Sequence, residues 1–176
     1  MRIASLILLA TIAASAQMRA ACAQLEFESE PINYQTAPVN DRVAKLIASV
    51  TSGKAKLSWD EEHGWLPSLL KALDVPQSSQ LLVFSKTSLQ LNRISPFRPR
   101  ALYFNDDTYI GWVQRGDVLE LAAVDATQGT IFYTLKQSAD RPEFRRDKGN
   151  CLICHASRRT QGVPGLLVRS VYPAKN

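Results

Sequence analysis

The sequence has few of the side chains that bind metals or form disulfide bonds. Its 176 residues include three cysteines, two histidines and two methionines. Both methionines, Met1 and Met18, lie near the amino terminus, and so does Cys22. A structural zinc site needs four ligands, usually from two separate pairs. The rest of the chain has one close cysteine pair, Cys151 and Cys154, which argues against such a zinc site.

Charge of one sign and long apolar runs are also scarce. Lysine and arginine total 21 against 16 acidic residues, which gives a net charge of +5 at pH 7. The basic residues are spread along the chain, so the excess is too weak to indicate nucleic-acid binding. After the amino-terminal segment, no stretch approaches the roughly 20 apolar residues that a membrane span requires. We also find no internal repeat and no low-complexity tract.

The amino-terminal segment predicts export. Arg2 supplies a positive start, residues 3–14 form an uncharged apolar run, and small residues follow as far as Ala21-Cys22-Ala23. This order is typical of a secretory signal peptide. We expect residues 1–23 to be removed and the protein to be periplasmic or otherwise exported. Ala14-Ser15-Ala16 is a second candidate cleavage site.

Residues 24–176 are expected to form a single domain, whose length suits one core. Asn40 or Asp41 can cap a helix that runs through Val50, and Leu66–Leu73 predicts a second one. Aromatic and β-branched runs between turn signals then predict an antiparallel meander. Its strands are expected at residues 81–84, 101–104, 109–114, 118–124 and 130–135, with a final strand over Leu166–Tyr172.

The motif that decides the chemistry is Cys151-Leu152-Ile153-Cys154-His155, a C-x-x-C-H. Two thiols on one helical turn can bind the two vinyl groups of a haem, and the next residue places its imidazole on the iron. The motif predicts one covalent haem c, attached at Cys151 and Cys154 with His155 as proximal ligand. Two alternatives remain. A thioredoxin-like redox pair normally lies beside an early βαβ unit, and zinc would need more ligands.

The candidates for the second axial ligand of the iron are limited by the few methionines and histidines in the chain. The mature chain has no methionine for the iron, unless cleavage after Ala16 keeps Met18. His63 is the only other histidine and is a candidate distal ligand. A single histidine of this kind is more often a surface or capping residue, here before the helix that follows. The sixth position of the iron could also hold a lysine, a tyrosine or water, or stay open.

Basic residues flank the motif. Some could pair with the haem propionates, and the rest could form a positive rim for an acidic redox partner. An ordinary solvated loop is the alternative interpretation. The residues concerned are Arg141, Arg145, Arg146, Lys148, Arg158 and Arg159.

Three segments resemble a family of exported bacterial mono-haem cytochrome c domain proteins that is largely uncharacterised. They are residues 79–90, residues 94–113, and the stretch from Gly162 to Val171. The resemblance implies haem and export, with residues 24–176 as a cytochrome c-like domain. In that family a long segment follows the haem motif, so the resemblance also implies that this chain is cut short after it.

These inferences define the expected fold and function. The predicted fold class is α+β, with short N-terminal helices, an antiparallel β meander and a C-terminal haem-binding helical segment. The predicted function is one-electron transfer with a redox partner protein, and no catalytic residues are expected. The alternatives are a haem peroxidase or oxidase-like enzyme, a ligand sensor, or a truncated fragment of a longer cytochrome.

Overall fold

The computed structural model describes residues 26–168. The predicted signal peptide, residues 1–23, lies outside the described residues, and so does Cys22. The predicted strand Leu166–Tyr172 is described only as far as Val168, and residues 166–168 are not in a strand.

One six-stranded sheet forms the centre of the molecule. Its strands follow chain order, and each pairs antiparallel with the next. The longest pairing runs from Val118 opposite Lys136 to Asp125 opposite Gly129. The strands are β1 (Leu81–Val83), β2 (Arg100–Phe104), β3 (Thr108–Trp112), β4 (Val118–Asp125), β5 (Gly129–Lys136) and β6 (Phe144–Arg146).

Two short helices precede the sheet. Helix α1 (Arg42–Thr51) begins where the Asp41 carboxylate accepts the backbone N–H of Ala44 at 2.9 Å, a typical N-cap. The other oxygen of Asp41 accepts a hydrogen bond from the Tyr133 hydroxyl, which anchors α1 to β5. Helix α2 (Leu66–Ala72) carries a proline in its first turn, where a missing N–H costs nothing.

The two faces of the sheet have different neighbours. Ile110, Leu121 and Tyr133 are paired across β3, β4 and β5, so they share one face. This face is buried in the core with the helices. Side chains alternate along a strand, so Tyr109, Ala122 and Phe132 lie on the other face. The segment that contains the cysteines packs there, because the rings of Phe132 and His155 are 4.7 Å apart.

The predicted fold class is wrong in its C-terminal part. The molecule is mainly an antiparallel sheet with a few short helices, and within the described residues no helical segment longer than about one turn follows β6. After β6 the described chain forms one α-helical turn, α3 (Leu152–His155), and one 3-10 turn (Arg158–Thr160). A helix this short is not stable alone, so the segment depends on contacts with the sheet. The fold still belongs broadly to the α+β class, because short helices accompany the sheet.

None of the helices between Glu26 and Val168 is long and apolar enough to cross a membrane.

Candidate functional site

Asp147 organises the turn that carries the two cysteines. Its carboxylate accepts the backbone N–H of Cys151 at 2.9 Å and that of Gly149 at 3.1 Å. Burial would raise the pKa of Asp147, but the hydrogen bond from Cys151 and its other donors outweigh burial and lower it. The carbonyl of Cys151 in turn accepts the N–H groups of Cys154 and His155. All three motif residues therefore lie on one helical turn.

The two thiols are separate and differ in exposure. Cys151 is half-buried, Cys154 is exposed, and no disulfide joins them. Burial and the negative charge of Asp147 raise the pKa of the Cys151 thiol above its usual range. A disulfide oxidoreductase needs the opposite, because its attacking cysteine reacts as a thiolate with a lowered pKa. The environment of Cys151 therefore argues against Cys151 as the attacking thiol of a thioredoxin-like pair.

Two hydrogen bonds to Gly165 fix the orientation of His155. The ring Nδ1 lies 2.8 Å from the carbonyl of Gly165, and the N–H of Gly165 donates to the carbonyl of His155 at 2.8 Å. A carbonyl can only accept, so Nδ1 carries the proton and Nε2 is left with its lone pair. Burial, together with the positive charge of Arg100, lowers the pKa of His155. A neutral, oriented imidazole is the form that binds a metal.

The carbonyl of Gly165 is itself held against the sheet. The preceding carbonyl, of Pro164, accepts the N–H of Thr130 in β5 at 2.8 Å. This approach requires a glycine at position 129, because a Cβ there would lie 2.3 Å from the Pro164 oxygen. Gly129 also has a φ of +78°, which favours glycine. The hairpin between β4 and β5 thus helps to position the partner of His155.

A cavity of about 330 Å³ opens beside the motif. This volume lies within the range of roughly 300 to 1,000 Å³ that small-molecule sites occupy. Its walls come from the non-helical face of the sheet, from the loop after β1 and from the segment that contains the motif. Its lining includes the three motif residues and, among others, Leu89, Leu91, Leu102, Tyr109, Gly111, Phe132, Leu166 and Leu167.

Three charged residues interrupt this largely apolar lining, and one of them, Lys86, is exposed. Arg100 of β2 and Glu120 of β4 both face the cavity, and the guanidinium lies 2.8 Å from the carboxylate. Only 13% of the Arg100 side chain and 17% of the Glu120 side chain are exposed. The hydroxyl of Ser88 donates to the second oxygen of Glu120. The sequence had not indicated Arg100, Glu120 or Ser88, since single polar residues in a strand pattern look like solvent-facing positions.

His63 lies elsewhere. It does not line the cavity; its ring is 5.4 Å from that of Trp112, and its Nδ1 is 3.2 Å from a carboxylate oxygen of Asp60. Trp112 follows Gly111 in β3, so the two lie on opposite faces of the sheet. Gly111 lines the cavity. The sheet therefore separates His63 from His155, and the structure does not bring the two histidines together.

The basic residues around the motif do not line the cavity either. Arg146 points inward, where it lies over the ring of Tyr34 and donates to Gln128. Arg145 pairs with Glu143 at the surface. Arg141, Lys148, Arg158 and Arg159 are exposed.

Comparisons of the chain with protein-family models, with curated proteins and with solved structures found no match. Within residues 26–168, no group of three or more histidine, cysteine, aspartate or glutamate side chains is arranged to hold a metal ion.

Proposed function

We propose that this protein is an exported c-type cytochrome that acts in one-electron transfer. One haem would be bound covalently through Cys151 and Cys154, with Nε2 of His155 as its proximal iron ligand. The observation that carries the proposal is that all three residues line the same apolar cavity. A redox partner protein, with an acidic surface, completes the proposed function.

The residues of the cavity fit a haem in several respects. A haem iron requires only axial ligands from the protein, and His155 offers an oriented, neutral imidazole. Leucine and aromatic side chains supply apolar walls for a flat, largely apolar macrocycle. The two thiols lie on one helical turn, as attachment to two vinyl groups requires.

The chain's own residues would orient the group and control its surroundings. When bound, the haem supplies one-electron chemistry through the ferric and ferrous states of its iron. The carbonyl of Gly165 accepts a hydrogen bond from Nδ1 and so holds the imidazole ring in place. This hydrogen bond would also affect how strongly Nε2 donates electron density to the iron. Leu102 and Leu166 would exclude water from the buried side of the cavity.

The surface next to Cys154 offers a route for the electron. Cys154 is exposed, and the neighbouring Ile153 side chain is 78% exposed. Arg158 and Arg159 are exposed nearby in the sequence. A small apolar patch beside positive charges suits a transient complex with an acidic redox protein.

Haem attachment is the first prediction to test. The full-length chain would be expressed with a cytochrome c maturation system, and haem would be measured by stain on a denaturing gel and by the pyridine haemochrome spectrum. We expect a stained band that withstands denaturation in the parent protein. The double variant Cys151→Ala/Cys154→Ala should lose it, because both thioether bonds are gone.

Cys22→Ala is the matched control, since this cysteine lies within the predicted signal peptide and should not affect the stain. An exported parent protein that carries no haem, and whose Cys151 and Cys154 form a disulfide, would contradict the proposal. Where haem is attached, its conversion between the oxidised and reduced spectra by a mild reductant and oxidant would test whether the iron can cycle between the two states.

A further inference from the structure

The Arg100–Glu120 pair places two largely shielded charges in the wall of a mainly apolar cavity. Burying two charges is costly, and such a pair often adds little stability compared with apolar residues of similar size. One donor of this pair also remains unused. The Nε of Arg100 is buried and has no hydrogen-bond partner. Buried polar atoms are nearly always hydrogen-bonded in folded proteins, and the cavity that Arg100 lines leaves room for a partner of this donor.

The sheet makes room for this pair at Gly111. Leu102, Gly111 and Glu120 lie side by side across β2, β3 and β4, on the face that lines the cavity. A Cβ at Gly111 would lie 3.3 Å from Cδ of Arg100 and 3.6 Å from Cβ of Glu120. The missing side chain thus leaves space through which the arginine crosses β3 to reach the glutamate.

The cavity also has few candidates for a second axial ligand. Among the described residues that line it, His155 is the only histidine, and none is a methionine. His63 is on the opposite side of the sheet. Tyr109 and Lys86 also line the cavity, but the Tyr109 ring stacks on Phe104 at 5.7 Å, and Lys86 is exposed and has another interaction partner. An iron bound to His155 would therefore face a cavity in which Arg100 and Glu120 are the charged groups shielded from solvent.

From this arrangement we infer that the sixth position of the iron is open, and that Arg100 and Glu120 form its polar wall. The inference rests on the covalent haem proposed above. The ligand class is a small anion that accepts hydrogen bonds. Arg100 supplies a positive charge and the unused Nε donor, which strengthens a hydrogen bond to an anion. Glu120 limits that attraction, because its negative charge opposes a second anion.

Fluoride is a suitable probe, since it is small, anionic and a strong hydrogen-bond acceptor. Its affinity for the ferric, haem-loaded protein would be measured by optical titration. Arg100→Gln should weaken fluoride binding by about tenfold or more, the usual effect of losing a charged donor. Glu120→Gln should strengthen it several-fold, because the arginine keeps its charge and loses its competitor.

A purely structural ion pair gives a different result. Both substitutions break the same contact, so they would change fluoride affinity in the same direction or not at all, and this result would overturn the inference. Arg93→Gln is the matched control. It breaks an exposed ion pair of similar length with Asp117, 3.0 Å, outside the cavity, and should leave fluoride affinity unchanged. If Arg100→Gln does not fold, Glu120→Gln alone tests the inference. Stronger fluoride binding by this variant supports the inference, and weaker binding contradicts it.

Spectra of the parent protein distinguish the cytochrome proposal from the inference of an open sixth position. A protein with covalent haem whose iron is six-coordinate and low-spin, and which binds neither fluoride nor carbon monoxide, overturns the open site and leaves the cytochrome proposal intact. A protein without covalent haem overturns both. A high-spin ferric iron that binds fluoride, with opposite shifts in the two variants, supports both.

Discussion

Single carboxylates hold much of the local structure together through backbone N–H groups. Asp125 accepts three of them, from Asn40, Thr127 and Gln128, at 2.8 to 3.0 Å. It thereby closes the β4–β5 turn and attaches the segment before α1. Asp147 has the same role next to Cys151. Such contacts are charge-assisted and require the ionised form of the side chain.

The pH dependence of stability follows from these carboxylates. Burial tends to raise the pKa of Asp125, but the hydrogen bonds from Asn40, Thr127 and Gln128 prevail and lower it. A lowered pKa in the folded state means that the unfolded chain binds the proton more tightly. The stabilisation is therefore present above the unfolded-state value of about 3.9 and is lost as pH falls below it.

We expect the free energy of unfolding in urea to fall between about pH 5 and pH 3, the range around the unfolded-state value. Asp125→Asn should be less stable at neutral pH and should show a shallower decline. Asp74→Asn is the control, because the Asp74 side chain makes no such set of hydrogen bonds in the described structure. Its stability should fall with pH as steeply as that of the parent protein. An equally steep decline in Asp125→Asn would assign the effect to other groups.

Among the elements, the β4–β5 hairpin has two roles, because its strands form the longest pairing of the sheet and Thr130, just after its turn, donates to the Pro164 carbonyl. Gly129→Ala should therefore destabilise the protein through both its φ of +78° and the contact with Pro164. Gly53→Ala separates the two effects. Gly53 has a similar φ of +74°, but a Cβ there would contact nothing within 4 Å.

We expect Gly53→Ala to cost about 1 kcal/mol, from backbone strain alone. Gly129→Ala should cost more and should also loosen His155, whose Nδ1 partner follows Pro164. Urea unfolding measures the first effect. The proton signals of His155 in the nuclear magnetic resonance spectrum measure the second. Equal losses in the two variants would show that the Pro164 contact adds nothing.

The elements also show which parts of the fold can be read from the sequence. The strands expected at residues 109–114, 118–124 and 130–135 correspond to β3, β4 and β5, because their aromatic and β-branched runs are separated by turn residues. Strand β6 was not expected, since it lies in a polar stretch and its pairing comes from β5 rather than from its own composition. Propensity for strands depends strongly on such context.

Across the whole molecule, the sequence located the motif but not its surroundings. The spacing of Cys151, Cys154 and His155 required no knowledge of the fold. The cavity depends on which side of the sheet each residue faces and on which segments meet there. Arg100 and Glu120 are 20 positions apart in sequence and meet only through the register of β2, β3 and β4. The separation of His63 from His155 likewise depends on the position of the sheet between them.

The side chains of β4 alternate between the two faces of the sheet, and this alternation limits how the sequence of this protein can evolve. Glu120 faces the cavity and Leu121 faces the core, so adjacent codons specify two unrelated environments. An insertion or deletion of one residue in the β3–β4 turn that shifted this strand would place the carboxylate in the core and the leucine in the cavity. A change in length would thus disturb the core and the cavity together, whereas a substitution at one position affects only one of them. Related sequences should therefore keep the length of this turn constant.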